Sequence, residues 1–189
     1  MSKTLIYGDI LIFKKAEQLH IKDILEINKS LIRKNLVDDE NGFLLGERSE
    51  EHVQKNIDFY YVALDETGEI VGYVEIDKFL DDDNFAVGQW EDETLKAKLL
   101  DHMNSKKYVY IIQLASKTQR KGIGLFILDQ LAKEYKESES ILILFVAYKP
   151  NFNEVSLNFH LKAGYQRVGT FTMESKFGIS NYERICLFK

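Results

Sequence analysis

The stretch Gln119-Arg120-Lys121-Gly122-Ile123-Gly124 decides how the chain reads. Before it, residues 108–115 form an apolar run, as a buried strand would. After it, apolar residues recur at Ile123, Ile127, Leu131 and Tyr135, and again at Leu128 and Ala132. That is the spacing of a helix over 122–136. A strand ends, a basic, glycine-rich loop follows, and a helix opens on that loop. The first amides of a helix have no intrahelical acceptor, and the aligned peptide dipoles add partial positive charge there. Gly122 and Gly124 carry no Cβ, so a phosphate can approach the backbone closely. A tight strand-to-helix turn that holds no ligand is the alternative.

Two common phosphate loops do not fit. A P-loop needs Gly, four residues, then Gly-Lys-Ser/Thr, a spacing absent here. A dinucleotide fingerprint needs a third small residue where this chain has Ile127. The pattern Q/R-x-x-G-x-G/A does fit, through Gln119, Gly122 and Gly124. A second segment follows the apolar run 141–147. It carries Asn153, Ser156, Phe159, His160, Lys162, Gly164 and Tyr165. Two motifs in this order, each on the expected kind of element, resemble the GNAT N-acetyltransferase superfamily. The resemblance is close over 108–165. The N-terminal half is similar only in its order of elements.

The resemblance implies an α/β (α+β) three-layer fold. Its central sheet is mixed and mostly antiparallel, of six to seven strands, with a splayed parallel central pair and helices on both faces. It implies transfer of an acetyl group from acetyl-CoA to a primary amine of a small molecule or peptide. A non-catalytic acyl-CoA-binding sensor or interaction module on the same fold is the alternative. In the family's manner, the pantetheine arm pairs with the backbone of Leu114, Ala115 and Ser116, and an amide near Leu114 faces the oxyanion. The pyrophosphate rests on the amides of Arg120, Lys121, Gly122, Ile123, Gly124 and Leu125, beside Gln119. Asn153, Ser156 and Phe159 match positions along the cofactor arm, although Asn153 also reads as a helix N-cap and Phe159 as core. No metal is needed, because backbone dipoles neutralise the charge.

An alkylammonium has a pKa of about 10.4, so the attacking amine needs a base or a water relay. Glu75 is the first candidate, on a strand that in this family borders the acceptor. Tyr108 is the second, roughly where some members carry a glutamate. For protonation of the leaving thiolate, His160 stands where many members carry a tyrosine. A helix histidine that only packs is the other reading of His160.

The rest of the chain is consistent with one domain over 1–189. At 189 residues and 45% hydrophobic content the chain can bury a full core. With 25 basic and 30 acidic side chains the net charge is −5, which argues against a nucleic-acid binder. A single cysteine, Cys186, excludes an internal disulfide and fits a reducing cytoplasm. No signal peptide or membrane-spanning run is visible. Homodimerisation through an exposed sheet edge is left open.

In chain order, residues 10–13 predict a first strand and 22–33 a helix with Ile24, Ile27 and Leu31 on one face. Residues 38–42 predict a turn, and Ser49 caps a second helix. Strands 59–64 and 69–78 form a hairpin around Asp65-Glu66-Thr67-Gly68. Residues 80–107 are an excursion outside the family pattern. They carry acids at 81–83 and 91–93, Trp90, and a helix through Leu95, Leu99 and Met103. The acids at 91–93 read as first-turn residues that suit the helix dipole; alternatively, the excursion shapes the acceptor pocket or a dimer contact anchored by Trp90. Central strands 108–115 and 141–147 flank the glycine-loop helix. Helix 154–163 ends at Gly164, and strands 165–173 and 182–188 close the chain as an antiparallel pair.

Overall fold

The structure, a computed structural model, describes residues 2–6, 9–36, 42–80, 82–117 and 122–189, with the backbone alone at 2–6, 9 and 82. In chain order the elements are β1 (Ser2–Ile6), β2 (Asp9–Lys15), α1 (Ile21–Leu31), α2 (Glu50–Lys55), β3 (Tyr60–Leu64), β4 (Ile70–Asp77), β5 (Gly88–Trp90), α3 (Glu93–Asn104), β6 (Tyr108–Ser116), α4 (Ile123–Glu134), β7 (Ile141–Lys149), α5 (Glu154–Lys162), β8 (Gln166–Lys176) and β9 (Ile179–Phe188). The fold is the expected mixed α/β arrangement. Among the described residues there are nine strands rather than six or seven. The additions are β1 and β5, the two outermost strands in the strand order. The expected turn at 38–42 lies outside the described residues except for Gly42.

Two compact units divide the chain: Met1–Ile76 with Ile112–Glu134, and Asp77–Ile111 with Tyr135–Lys189. Strand β6 gives its first half to the second unit and its remainder to the first.

In the first unit β1, β2, β3 and β4 pair antiparallel in succession. The β3–β4 hairpin places Tyr60 opposite Glu75 and Val62 opposite Tyr73. Its turn forms because the Asp65 carboxylate accepts hydrogen bonds from the amides of Thr67 and Glu69. Helix α1 turns Ile24 and Ile27 onto a core with Val53, Tyr60, Val62, Ile70 and Tyr73. Full burial of each aliphatic side chain there contributes roughly 1.5–3 kcal/mol. Ser49 caps α2 as its sequence predicts, its hydroxyl accepting the His52 amide at 3.1 Å. Strand β6 stands beside β4 in the strand order. At its far end the Lys117 amide donates to the Val71 carbonyl at 2.7 Å.

In the second unit β6 starts parallel to β7, in register from Tyr108↔Ile141 to Ile111↔Leu144. The ladder ends there, while β6 runs on to Ser116. Strands β7, β9 and β8 follow as antiparallel neighbours, and β5 adds to the edge of β8. The excursion builds this unit's core. Trp90 stacks on Phe85 at 5.5 Å and meets the edge of Phe171 at 4.8 Å, while Leu99 and Met103 of α3 pack with Tyr108, Ile143 and Phe188. The acids at its start divide their work. Asp92 is the N-cap of α3, accepting from the amides of Thr94 and Leu95, and Glu91 pairs with Arg167 at 2.6 Å. Cys186 is fully buried in the same core. Gly164 ends α5 in the left-handed region at φ 88°, as expected of a helix C-terminus.

Candidate active site

Of the signature loop, Gln119, Arg120 and Lys121 lie outside the described residues. From Gly122 onward the expected geometry is present. Gly122 has φ 73°, a left-handed conformation that side chains with a Cβ resist, which is why a glycine ends the loop. The Phe126 amide donates to the Gly122 carbonyl at 2.9 Å, closing the first turn of α4. The amides of Ile123, Gly124 and Leu125 sit before that bond, in the turn where intrahelical acceptors are missing. Ile123 is buried beneath them and Leu125 is exposed. At the end of β6, which precedes this turn in the chain, Ala115 is buried and Leu114 and Ser116 are half-buried.

Gly72 holds these parts together. A Cβ at Gly72 would meet the Ala115 carbonyl oxygen at 2.8 Å, Ile123 Cγ2 at 3.0 Å and Ile127 Cδ1 at 3.1 Å. Strand β4 thus lies in close contact with both the end of β6 and the opening of α4. The opening of α4 fits an anionic group. It offers backbone donors, with no side chain at Gly124 to block them.

Glu75 is buried, with its side chain only 2% exposed. A buried carboxylate must be paired, and two partners reach it. Arg48 Nε donates to Glu75 Oε2 at 2.7 Å, and His52 Nε2 lies 2.9 Å from Oε1. Burial works against the Arg48 charge, but the charge and hydrogen bond of Glu75 outweigh it and hold the guanidinium above its usual pKa. Opposite Glu75 on β3, the Tyr60 hydroxyl is buried beside the Glu75 carboxylate and the Arg48 guanidinium. Burial, then the charge of Glu75, push its pKa well above the ordinary phenol value.

The same cluster is tied to β6 by neutral groups. The Asn28 carboxamide oxygen accepts the Arg48 amide at 3.0 Å. Its nitrogen donates to Gln113 Oε1 and to the Tyr73 hydroxyl, both at 3.0 Å, and Tyr73 in turn donates to Gln113 Oε1 at 3.0 Å. Gln113 Nε2 donates to the Gly46 carbonyl. Gln113 directly precedes Leu114 in β6. Sequence reasoning missed Arg48, His52, Asn28, Tyr60, Tyr73 and Gln113. The one available signal was Arg48 and His52 on either side of the Ser49 cap, and it gave no hint of a shared buried partner.

The second unit holds the other expected residues. Tyr108 is buried at the start of β6, and its hydroxyl oxygen accepts the Leu80 amide at 2.9 Å. Asn153 is the N-cap of α5, accepting the Ser156 amide at 3.1 Å. Ser156 and Phe159 are half-buried on the same helix. His160 is 5% exposed. Its Nδ1 lies 2.7 Å from the Ser156 carbonyl oxygen, which can only accept, so the ring proton belongs on Nδ1. Nε2 is buried and has no hydrogen-bond partner among the described residues. Burial lowers the His160 pKa to about 4, against a smaller opposing pull from the Ser156 carbonyl. The side chain is thus a neutral imidazole whose free nitrogen accepts rather than donates.

This geometry has a consequence for acid stability. The unfolded histidine takes up a proton near pH 6.5, and the folded one does so only near pH 4. Between these values the unfolded state binds more protons, so stability falls as the pH falls. At pH 4.5 the cost is on the order of 2 kcal/mol. Urea unfolding of wild type and His160→Phe at pH 7 and pH 4.5 is expected to show this share of the acid loss in wild type alone. Equal losses in both proteins would mean that His160 titrates normally.

A sequence model of the acetyltransferase (GNAT) family matches residues 33–165. No curated protein sequence matches the chain. Among solved structures, the chain is similar to a ribosomal-protein-alanine N-acetyltransferase from Brucella melitensis, with 18% identity, 94% of this chain and 98% of that chain covered, and a TM-score of 0.61. It is similar to an N-acetyltransferase from Staphylococcus aureus Mu50, with 16% identity, 95% and 97% covered, and a TM-score of 0.60. It is also similar to a Salmonella typhimurium protein described as an acetyltransferase and solved with its cofactor acetyl-CoA, with 14% identity, 95% and 92% covered, and a TM-score of 0.59.

Proposed function

The chain belongs to the GNAT acetyltransferase family, and from that premise we propose that it transfers an acetyl group from acetyl-CoA to a primary amine of a small molecule or peptide. The observation that carries this reading is local to the first unit. Strand β6 runs beyond its parallel ladder to Ser116, and a helix opens on Gly122-Ile123-Gly124 just after it. Acetyl-CoA supplies an activated acyl thioester there. The backbone of Leu114, Ala115 and Ser116 offers pairing groups to its amide arm, and an amide near Leu114 donates to the oxyanion. The opening amides of α4, with Arg120 and Lys121, take the diphosphate.

The proton acceptor belongs to the Glu75 cluster rather than to Tyr108. The Tyr108 hydroxyl is engaged by the Leu80 amide within a packed core, whereas Glu75 joins a partly exposed imidazole. His160, with its proton committed to a carbonyl, serves as a buried hydrogen-bond acceptor. No helix among the described residues is long and apolar enough to cross a membrane. The reading places the reaction in the cytoplasm.

Acetyl-CoA at a hundred times its Kd is expected to stabilise the folded protein by about 2.7 kcal/mol, read as a rise in Tm. Incubation with benzylamine, glycinamide, spermidine and an alanine-initiated peptide is expected to release free thiol with at least one of them. A Tm rise without thiol release from any amine would favour the alternative, a non-catalytic acyl-CoA sensor. No Tm rise would sink both readings.

A further inference from the structure

We propose that the proton acceptor of this site is His52, acting through Nδ1, with Glu75 as the residue that orients it. This rests on the acetyltransferase reading and adds the residue that the signature motifs do not contain. The geometry is that of an imidazole held by a buried carboxylate. Glu75 Oε1 lies 2.9 Å from His52 Nε2, and its other oxygen, Oε2, is taken by Arg48 at 2.7 Å. A carboxylate only accepts, so a neutral His52 carries its proton on Nε2 and presents a bare lone pair on Nδ1. The His52 side chain is 39% exposed, while that of Glu75 is 2% exposed. Of the two groups, only the imidazole can meet a solvent-borne amine. Glu75 itself is closed in by its partners.

The His52 backbone is held in place as well. The His52 amide is held by the Ser49 hydroxyl and its carbonyl accepts from the Asn56 side chain at 2.9 Å. Arg48, which neutralises Glu75, is anchored through its amide to Asn28, and Asn28 bonds Gln113. The chain of contacts therefore runs from His52 to the residue before Leu114, where the oxyanion amide is placed. Of the charged and titratable groups here, Glu75 from β4 contacts His52, while Arg48 from the segment before α2 and Tyr60 from β3 face Glu75.

An ammonium gives one proton to His52 Nδ1, and its freed lone pair bonds to the acetyl carbonyl carbon. The carbon–sulfur bond breaks with its electron pair on sulfur. The second proton leaves nitrogen for that thiolate, directly or through water, which yields the amide and a free thiol. The imidazolium then returns its proton to solvent.

Two readouts test this, one of them without cofactor. In ¹⁵N-labelled protein the His52 ring is expected in the Nε2–H tautomer at neutral pH, and Glu75→Leu is expected to release it to a mixture of tautomers. With acetyl-CoA and whichever panel amine wild type acetylates, His52→Gln is expected to lose about a hundredfold or more in kcat. Its acetyl-CoA-induced Tm rise should be unchanged, and added imidazole should restore turnover in His52→Ala. An Nδ1–H tautomer in wild type, or a folded His52→Gln with wild-type kcat, would overturn the role of His52 while leaving the acetyltransferase reading intact. A wild-type protein that binds acetyl-CoA but acetylates no amine would instead overturn that reading, and this proposal with it.

Discussion

Gly72→Val is expected to destabilise the protein by about 2–3 kcal/mol and to weaken acetyl-CoA binding in whatever fraction stays folded. Two effects of opposite sign compete. A valine suits an extended strand, and glycine costs roughly 0.5–1 kcal/mol within one, so propensity alone predicts a gain. Sterics predict a loss. The first atom of any side chain at position 72 would lie 2.8 Å from the Ala115 carbonyl oxygen, and that oxygen belongs to backbone. It cannot rotate away, so strand β4 or β6 must move. The same Cβ presses on Ile123 and Ile127, both buried under the opening of α4. Overpacking of this kind costs typically 1–3 kcal/mol, and here a backbone shift adds to it, so the loss outweighs the gain. Urea unfolding gives the first number and acetyl-CoA titration the second. A variant as stable as wild type, with unchanged affinity, would mean that β4 can recede from β6 without disturbing the donor loop.

Gly124→Glu is expected to do the opposite: keep the fold and remove the ligand. Acidic side chains are favourable in the first turn of a helix, by roughly 0.3–1 kcal/mol, so the Tm of the free protein should hold or rise slightly. The same attraction makes the carboxylate a permanent occupant of the electropositive end of α4. A diphosphate arriving there meets a like charge and competes for the same amides. A loss of affinity of a hundredfold or more corresponds to about 3 kcal/mol. Position 124 is half-buried, so the longer side chain has a way out toward solvent and need not disrupt α4. Calorimetric titration with acetyl-CoA, and the loss of the ligand-induced Tm rise, measure it. Wild-type affinity in this folded variant would remove the diphosphate from the helix opening.

The contrast between the two glycines explains how each is used. Gly72 is needed for what lies against it, so any side chain there acts through the fold. Gly124 is proposed to leave room for what approaches from outside, so a side chain there is expected to act through the ligand.

Much of the architecture was legible in the residue order because it depends on local rules. The period of Ile123, Ile127 and Leu131 writes a helix whichever tertiary partners cover it, and α4 runs from Ile123 to Glu134. Ser49 before an acidic turn writes an N-cap, and Asp65 followed by Thr67-Gly68 writes a hairpin turn. The apolar runs at 108–115 and 141–147 write strands, and their parallel register follows from the helix between them. Strand β5 escaped notice because Gly88-Gln89-Trp90 has no strand pattern of its own. It exists only because β8 offers an edge.

The site divides along the same line. A glycine loop at a strand–helix junction is a backbone feature, and backbone chemistry is readable wherever local sequence dictates conformation. The cluster around Glu75 is a side-chain feature assembled from four separate stretches, bringing Asn28, Arg48, His52 and Gln113 to one place. Alternation along β4 could place Glu75 on a mixed face. It could not say which cation would neutralise a carboxylate that the sheet buries, because pairing across 23 and 27 residues is decided by packing rather than by periodicity. His160 shows the same limit: its helix was readable, but the burial that keeps it neutral was not. Local sequence determined where the backbone presents its donors. Only the tertiary structure decided which side chains share a buried charge.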